Sequence, residues 1–247
     1  MVTAAVRGAF GFLTRVPVGR DQVAWDAFCR TPAVFPVVGY VIGGLLLIPF
    51  VIGIPAATAA VLFVAWVYVV TGITHLDGVA DLGDAAVVHG GSDRRRAAMK
   101  DTQVGVGAVL AVGIVVLSLA GAGFMLAAMS VIALGIVIAA EVGAKLGIVI
   151  IACLGRSTHD GLGKRIIEPA DRRDLVTASL VALPAVALTG LHPAAGVTVL
   201  GGLLTALAVL FWANRRLDGV SGDVLGATNE LCRLVGLHLG VIAWTLW

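Results

Sequence analysis

Charge is scarce in this chain. Only 13% of its 247 residues are Asp, Glu, Lys or Arg, while 59% are hydrophobic. A soluble domain runs near ~25% charged. At half that level, with a mean hydropathy of +1.02 and apolar runs of about 20 residues, a soluble fold is excluded and a polytopic helical membrane protein is indicated. The net charge of +2 leaves no basic surface for nucleic acid. Cysteine is scarce too: Cys29, Cys153 and Cys232 lie far apart without metal-ligand spacing, and read as buried small residues, not disulfides. A cleavable leader is not expected, because Arg7 and Arg15 interrupt the apolar stretch from Met1 to Val18. Val6, Phe10 and Leu13 recur there at helical spacing, so residues 1–32 read as an interfacial segment of a single membrane domain spanning 1–247.

Hydrophobic runs predict seven spans, at about 33–54, 55–74, 104–123, 124–152, 174–191, 193–212 and 229–247. Short uncharged turn signals join paired spans: Gly53-Ile54-Pro55, Gly121-Ala122-Gly123 and Gly190-Leu191-His192-Pro193. The remaining connections hold nearly all the charge. Arg7, Arg15, Arg20 and Arg30 precede the first span; Arg94, Arg95, Arg96 and Lys100 follow the second. Arg156, Lys164, Arg165, Arg172 and Arg173 follow the fourth, and Arg215 and Arg216 the sixth. An even number of crossings separates these groups, so all face one side. By the positive-inside rule that side is the cytoplasm. The fold class expected is therefore all-α, with about seven transmembrane helices, in the cell membrane, and with its polar site on the cytoplasmic face.

Against this oily background stands His75-Leu76-Asp77-Gly78-Val79-Ala80-Asp81-Leu82-Gly83-Asp84. At about 100° per residue, Asp77, Asp81 and Asp84 fall within roughly 60° of one another on a helix. Three like charges on one face need a counter-ion. Hard oxygen ligands suit Mg²⁺, which keeps waters and bridges to substrate phosphates. His75 is open to three roles: ligand, general base or phosphate donor. Lys100-Asp101 opens the third span, where Asp101 either completes a metal shell or caps the helix. Arg96, in the Arg94–Arg96 run, suits a phosphate. The loop Gly155 to Lys164 offers backbone N–H groups around Gly161 and Gly163. Asp223 and Glu230 are seven apart and share a helical face, with Asn229 beside them, giving either a second acidic surface on the same side or a polar cap on the last span with a Glu230–Arg233 pair. Glu141 and Lys145, expected near the cytoplasmic boundary, most simply neutralise each other at i,i+4.

Six segments in order carry a resemblance. They are Phe12-Leu13-Thr14-Arg15-Val16-Pro17, Phe35-Pro36-Val37-Val38-Gly39, His75-x-Asp77-Gly78-x-Ala80-Asp81-x-x-Asp84, and Met99-Lys100-Asp101-x-x-x-Gly105-x-x-Ala108. Asp160-Gly161-Leu162-Gly163 and Gly219-Val220-Ser221-Gly222-Asp223-x-x-Gly226-Ala227-x-x-Glu230 complete the series. Together they resemble the cobalamin synthase family, adenosylcobinamide-GDP ribazoletransferases. Leu76 departs from the Glu that many bacterial members carry, and the loop before Asp160 lacks a Pro-Tyr-Ala-Arg lead-in.

The resemblance implies Mg²⁺-dependent transfer of phosphocobinamide from adenosylcobinamide-GDP to α-ribazole or its 5′-phosphate, with release of GMP. It implies metal binding by Asp77, Asp81 and Asp84, and catalytic roles among His75, Lys100, Asp101, Asp223 and Glu230. Substrate contacts would come from Arg15, Arg96, Asp160, Gly161, Gly163 and Asn229. The expected partners are the two substrates and the lipid bilayer, with a homo-oligomer allowed. The rival readings are a CDP-alcohol phosphotransferase, a prenyltransferase and a transporter. The first wants Ala-Arg where Ala80-Asp81 stands, the second a later Asp-x-x-x-Asp run, and the third polar groups at the membrane midplane.

Overall fold

A computed structural model describes residues 2–19, 21–158 and 161–247, and among them no strand forms. Two short helices open the chain: α1 (Val2–Leu13), with Ala5, Ala9 and Leu13 turned inward, and α2 (Gln22–Cys29), capped by the Asp21 side chain. They pack on each other, and Phe28 joins Phe12, Trp25 and Phe35 in an aromatic cluster. Next come α3 (Val34–Leu45), α4 (Ile48–Val51), α5 (Ala56–Thr71), α6 (Thr74–Val87) and α7 (Ser92–Ala98). The chain continues as α8 (Val106–Ala127), α9 (Gly135–Leu154), α10 (Leu162–Ile167), α11 (Arg172–Ala182), α12 (Ala194–Arg216) and α13 (Gly222–Leu246).

Four helical stretches are long and apolar enough to cross a bilayer: Val34–Val51, Val106–Ala127, Val131–Leu154 and Ala194–Arg216. A fifth forms if α5 and α6 count together, although they bend by 103° at their junction. Gly72 makes that bend with φ 73°, a left-handed conformation open to glycine. Alone, α6 is about 21 Å long at 1.5 Å per residue and carries three carboxylates, so it is not a spanning segment. The two remaining expected spans look different from the other five. The stretch 174–191 is an eleven-residue α11 followed by a 3₁₀ turn at Leu183–Ala187. The last helix is long enough, but Asn229, Glu230, Arg233 and His238 reduce its hydropathy.

One turn signal misled. Gly121-Ala122-Gly123 lies inside α8, which runs on to Ala127. A Cβ on Gly123 would stand 3.0 Å from the Phe63 ring and 3.3 Å from the Ala60 Cα, so this glycine lets α8 lie against α5. The chain turns instead at Ala128–Ser130, and α9 starts later than expected. Glu141 and Lys145 therefore fall on either side of the midpoint of Val131–Leu154, not near its end as expected.

There they join a wholly buried charge network. Lys145 Nζ donates to Glu141 Oε2 at 3.1 Å and to Asn229 Oδ1 at 2.7 Å. Arg233 donates to Glu141 and, at 2.6 Å, to Glu230 Oε2. Asn229 Nδ2 reaches Glu230 Oε1 at 3.2 Å, and the Tyr68 hydroxyl donates to Glu230 at 3.4 Å. Two carboxylates face two cations, so the network is neutral. It ties α5, α9 and α13 together. Breaking such a buried set by removing one partner costs about 3–5 kcal/mol, because a charge is left unpaired.

Candidate active site

The segment His75–Asp84 is helical, as its spacing predicts, and what positions it is glycine. A Cβ on Gly78 would lie 2.4 Å from the Asp223 carbonyl oxygen and 3.0 Å from the Ala227 nitrogen. A Cβ on Gly226 would meet the His75 Cα at 3.2 Å. So α6 and α13 cross in backbone contact, and the crossing brings Asp77 and Asp81 beside Asp223. On its other flank α6 meets α8, where Gly83 and Gly107 face each other just as closely.

A cavity of about 290 Å³ opens at this crossing. His75 and Asp77 enter it from α6, Gly161, Gly163 and Lys164 from the loop and α10, and Ser221 and Asp223 from the start of α13. The loop is held there by backbone pairing: Val220 N–H donates to Arg156 O at 2.9 Å and Thr158 N–H to Val220 O at 3.2 Å. Gly163 rests on Gly222, where a Cβ would come within 2.5 Å of the backbone nitrogen. Ser221 caps α13, accepting from Val224 N–H, and the first residues of that helix, Gly222 and Asp223, line the cavity. A narrow cleft lined by Arg96, Lys100 and Thr158 adjoins it, sharing Ser221 and Asp223.

Electrostatics single out Asp81. Burial, with Asp223, Asp77 and Asp84 nearby, pushes its carboxyl up to about 6. His75 is only 8% exposed, and its Nδ1 has no hydrogen-bond partner among the described residues. Burial, reinforced by the Lys145 and Arg233 charges beyond it, holds the imidazole down to about 3, so it is neutral at pH 7.

Asp84 is turned to another use. Both its oxygens accept backbone bonds, from Gly105 N–H and Ala108 N–H at 2.9 Å each, capping α8 from a neighbouring helix. That leaves Asp77, Asp81 and Asp223 as the acidic group. Among the described residues no three His, Cys, Asp or Glu side chains converge into a cage able to hold a metal unaided. The donor set still suits Mg²⁺: carboxylate oxygens crowded enough to raise one proton affinity, with room for waters and phosphate.

Several expected site residues stand elsewhere. Glu230 and Asn229 are wholly buried in the charge network, because Arg233 one turn on is the partner that a carboxylate in a span requires. Asp101 is exposed and turns back on Gln103 N–H at 2.9 Å, neither capping α8 nor lining the cavity. Arg15 is exposed and lies over the α5–α6 bend, its Cδ 3.1 Å from where a Gly72 Cβ would be. Arg96 lines the cleft yet pairs with Asp93 and Asp218 and donates to Leu217 O at 2.6 Å, pinning α7 to the end of α12. Lys100 is exposed in that cleft. Asp160 lies outside the described residues.

The sequence matches known proteins along nearly its whole length. A family model described as cobalamin-5-phosphate synthase matches residues 5–241. The chain belongs to the cobalamin-5-phosphate synthase family. The adenosylcobinamide-GDP ribazoletransferase of Halorubrum lacusprofundi is 49% identical over 99% of both chains. That of Haloquadratum walsbyi is 44% identical over 100% of both, and that of Methanocella arvoryzae 33% identical over 98% of this chain and 96% of its own. No solved structure matches.

For this member of the family, only part of the apolar side of the cavity was visible in sequence, Phe35 and Leu225 standing within the quoted segments and Ile148 and Ile166 outside them. Phe35, Ile148, Ile166 and Leu225 wall it. In a chain so rich in such residues, no local signal separates a cavity wall from a core position. Ser221 and Lys164 at least stood within quoted segments.

Proposed function

We propose that this cobalamin-5-phosphate synthase family member transfers the phosphocobinamide group of adenosylcobinamide-GDP to α-ribazole or its 5′-phosphate, releasing GMP in cobalamin biosynthesis. One observation carries the assignment of the site: five of the six segments that carry the family pattern line a single cavity, through Phe12 and Leu13, Phe35, His75 and Asp77, Gly161 and Gly163, and Ser221 and Asp223.

The acceptor's ribose hydroxyl attacks the phosphorus that bears the cobinamide side chain. A new P–O bond forms, the anhydride P–O bond breaks, and GMP departs with the electron pair. Such chemistry asks for in-line positioning and charge neutralisation more than for a covalent nucleophile. Asp77 and Asp81 would hold Mg²⁺, which when bound would supply charge neutralisation to a diphosphate. Asp223 accepts the hydroxyl proton. The N–H groups at the start of α13 orient a phosphate, and Lys100 offsets charge on the departing GMP. Asp84 acts through α8, as a positioning residue.

The site lies on the cytoplasmic face of the cell membrane, and α3–α4, α5, α8, α9, α11, α12 and α13 make seven crossings. Phe35 at the start of α3 and Ser221 at the start of α13 line the cavity, and Gly155 at the end of α9 meets Val220 beside it; basic connections lie at these ends, which supports that count. A reporter fused after Trp247 is expected outside the cytoplasm; a cytoplasmic signal would remove one crossing. The activity is tested by incubating purified protein with adenosylcobinamide-GDP and α-ribazole. GMP should appear with Mg²⁺ and stop on chelation. Folded protein that releases no GMP would overturn the reading.

A further inference from the structure

We infer that the apolar groove behind α6 seats one hydrocarbon chain of an anionic phospholipid, with its headgroup on Arg215 and Arg216, and that this chain props α6 for turnover. The seat stands on geometry and charge; its effect on turnover rests on the function proposed above.

Helical spacing defines the groove. Val79, Leu82 and Ala86 line it from α6, on the side roughly opposite Asp77, Asp81 and Asp84. Thr205, Ala208 and Trp212 line it from α12, and Ala111 of α8 and Leu231 of α13 complete the wall. Its volume of about 500 Å³ is that of a small-ligand site. The wall is hydrocarbon but for Thr205 and Trp212, and the Thr205 hydroxyl already donates to Gly201 O at 2.8 Å. Apart from the indole N–H, water finds no partner there, and an empty groove forfeits dispersion contacts. Both α8 and α12 are long and apolar enough to cross a bilayer, and Leu110, Leu204 and Phe211 on them are more than half exposed. The groove is therefore open to lipid chains.

Charge selects the occupant. The row Thr205, Ala208, Trp212 continues one turn on at Arg215 and Arg216, which end α12. Both arginines are exposed, and neither pairs with a carboxylate among the described residues. Asp218, two residues further on, is taken by Arg96 at 3.0 Å. The Arg215 guanidinium lies 4.4 Å from the centre of the Phe211 ring, folded back over exposed apolar surface. A tryptophan one turn below two arginines is how a span meets the headgroup layer. A lipid phosphate at that level meets two cations while its chain lies in the groove. A second copy of this chain fits less well, because a two-fold contact through the groove would bring the arginines of both copies together. The chain's effect on the site follows from α6, which packs on α8 and α13 and holds Asp77 and Asp81 on its other face. Filling the groove backs the helix that carries the acidic group.

The test titrates the full chain, purified in phosphatidylcholine micelles, with phosphatidylglycerol of the same chains, and reads retained lipid by native mass spectrometry. Phosphatidylglycerol should be retained in preference to phosphatidylcholine. Two variants probe the two halves of the seat. Ala208→Phe fills the groove from an exposed position, where the fold is not at risk. Arg215→Gln combined with Arg216→Gln removes the partners of the headgroup. Each should cut retention by about tenfold. GMP release should climb with phosphatidylglycerol in unmodified protein and stay flat in both variants. Glycerol phosphate, the headgroup without its chain, should change nothing. Equal retention of the two lipids, or variants that keep phosphatidylglycerol, would overturn the seat. A dimer that Ala208→Phe splits would give the groove to a second copy instead. Phosphatidylglycerol bound as expected without any change in GMP release would overturn the propping of α6. If no lipid supports GMP release, the proposed function has failed, while retention still decides the seat.

Discussion

Asp77→Asn and Asp81→Asn should each lower Mg²⁺-dependent GMP release by on the order of a thousandfold, with little change in thermal stability. The size follows from what is removed. Preorganised charge aimed at a developing phosphate charge is commonly worth two to three orders of magnitude (~10²–10³) in rate. Stability is spared for a different reason. Asp81 is held near a pKa of about 6 by burial and by its acidic neighbours, so ionised it is a source of strain in the empty site. Asn keeps the shape and removes the repulsion, and melting temperature in detergent should hold or rise slightly. Asp84→Asn makes the contrast. Its oxygens serve Gly105 N–H and Ala108 N–H, and an amide keeps one acceptor where two are used. That variant should lose stability while retaining measurable turnover. Full activity in Asp77→Asn or Asp81→Asn would end the case for Mg²⁺ at these carboxylates.

The second large effect comes from a residue without functional groups. Gly78→Ala should cut turnover by about a hundredfold. The added Cβ would stand 2.4 Å from the carbonyl oxygen of Asp223, and both partners are backbone within helices, so neither can swing aside. The helices must separate, and Asp223 moves away from Asp77 and Asp81. A misplacement near 1 Å is enough to cost about 10² in rate, beside about 1–3 kcal/mol of overpacking. Gly121→Ala is the control, since nothing lies within 4 Å of the position and helix propensity improves. It should be neutral or mildly stabilising in the same thermal melts. Wild-type kcat in Gly78→Ala would show that the crossing is looser than it looks and that glycine is not what sets the site.

Those two glycines show where sequence reading works and where it stops. The carboxylates of α6 were legible because a charge in an apolar chain needs a reason, and helical spacing puts all three on one face. The glycines of α8 were not. Gly121-Ala122-Gly123 has the composition of a turn, and only the neighbouring α5 reveals that Gly123 is a packing position. That single misreading moved the start of α9, and with it Glu141 and Lys145, from a boundary to the middle of a span. Glu230 is the sharper lesson. Spaced seven from Asp223, it shares a helical face with it, yet a face seven residues long runs from the polar mouth into the buried core. Which ion it meets is decided by α9 and by Arg233, not by its spacing from Asp223.

By itself, then, the chain's composition determined a helical membrane protein with its charges gathered at one end, because apolar runs and stray charges have large, local and additive transfer energies. The order of its six segments determined the family. The tertiary structure alone decided which carboxylates share a site. Asp77, Asp81 and Asp223 meet where Gly78 and Gly226 let two backbones touch, Asp84 is drawn off to cap α8, and Glu230 is buried with Arg233 against Glu141 of α9. Contacts between helices depend on crossing points, and a crossing point is a property of two surfaces at once.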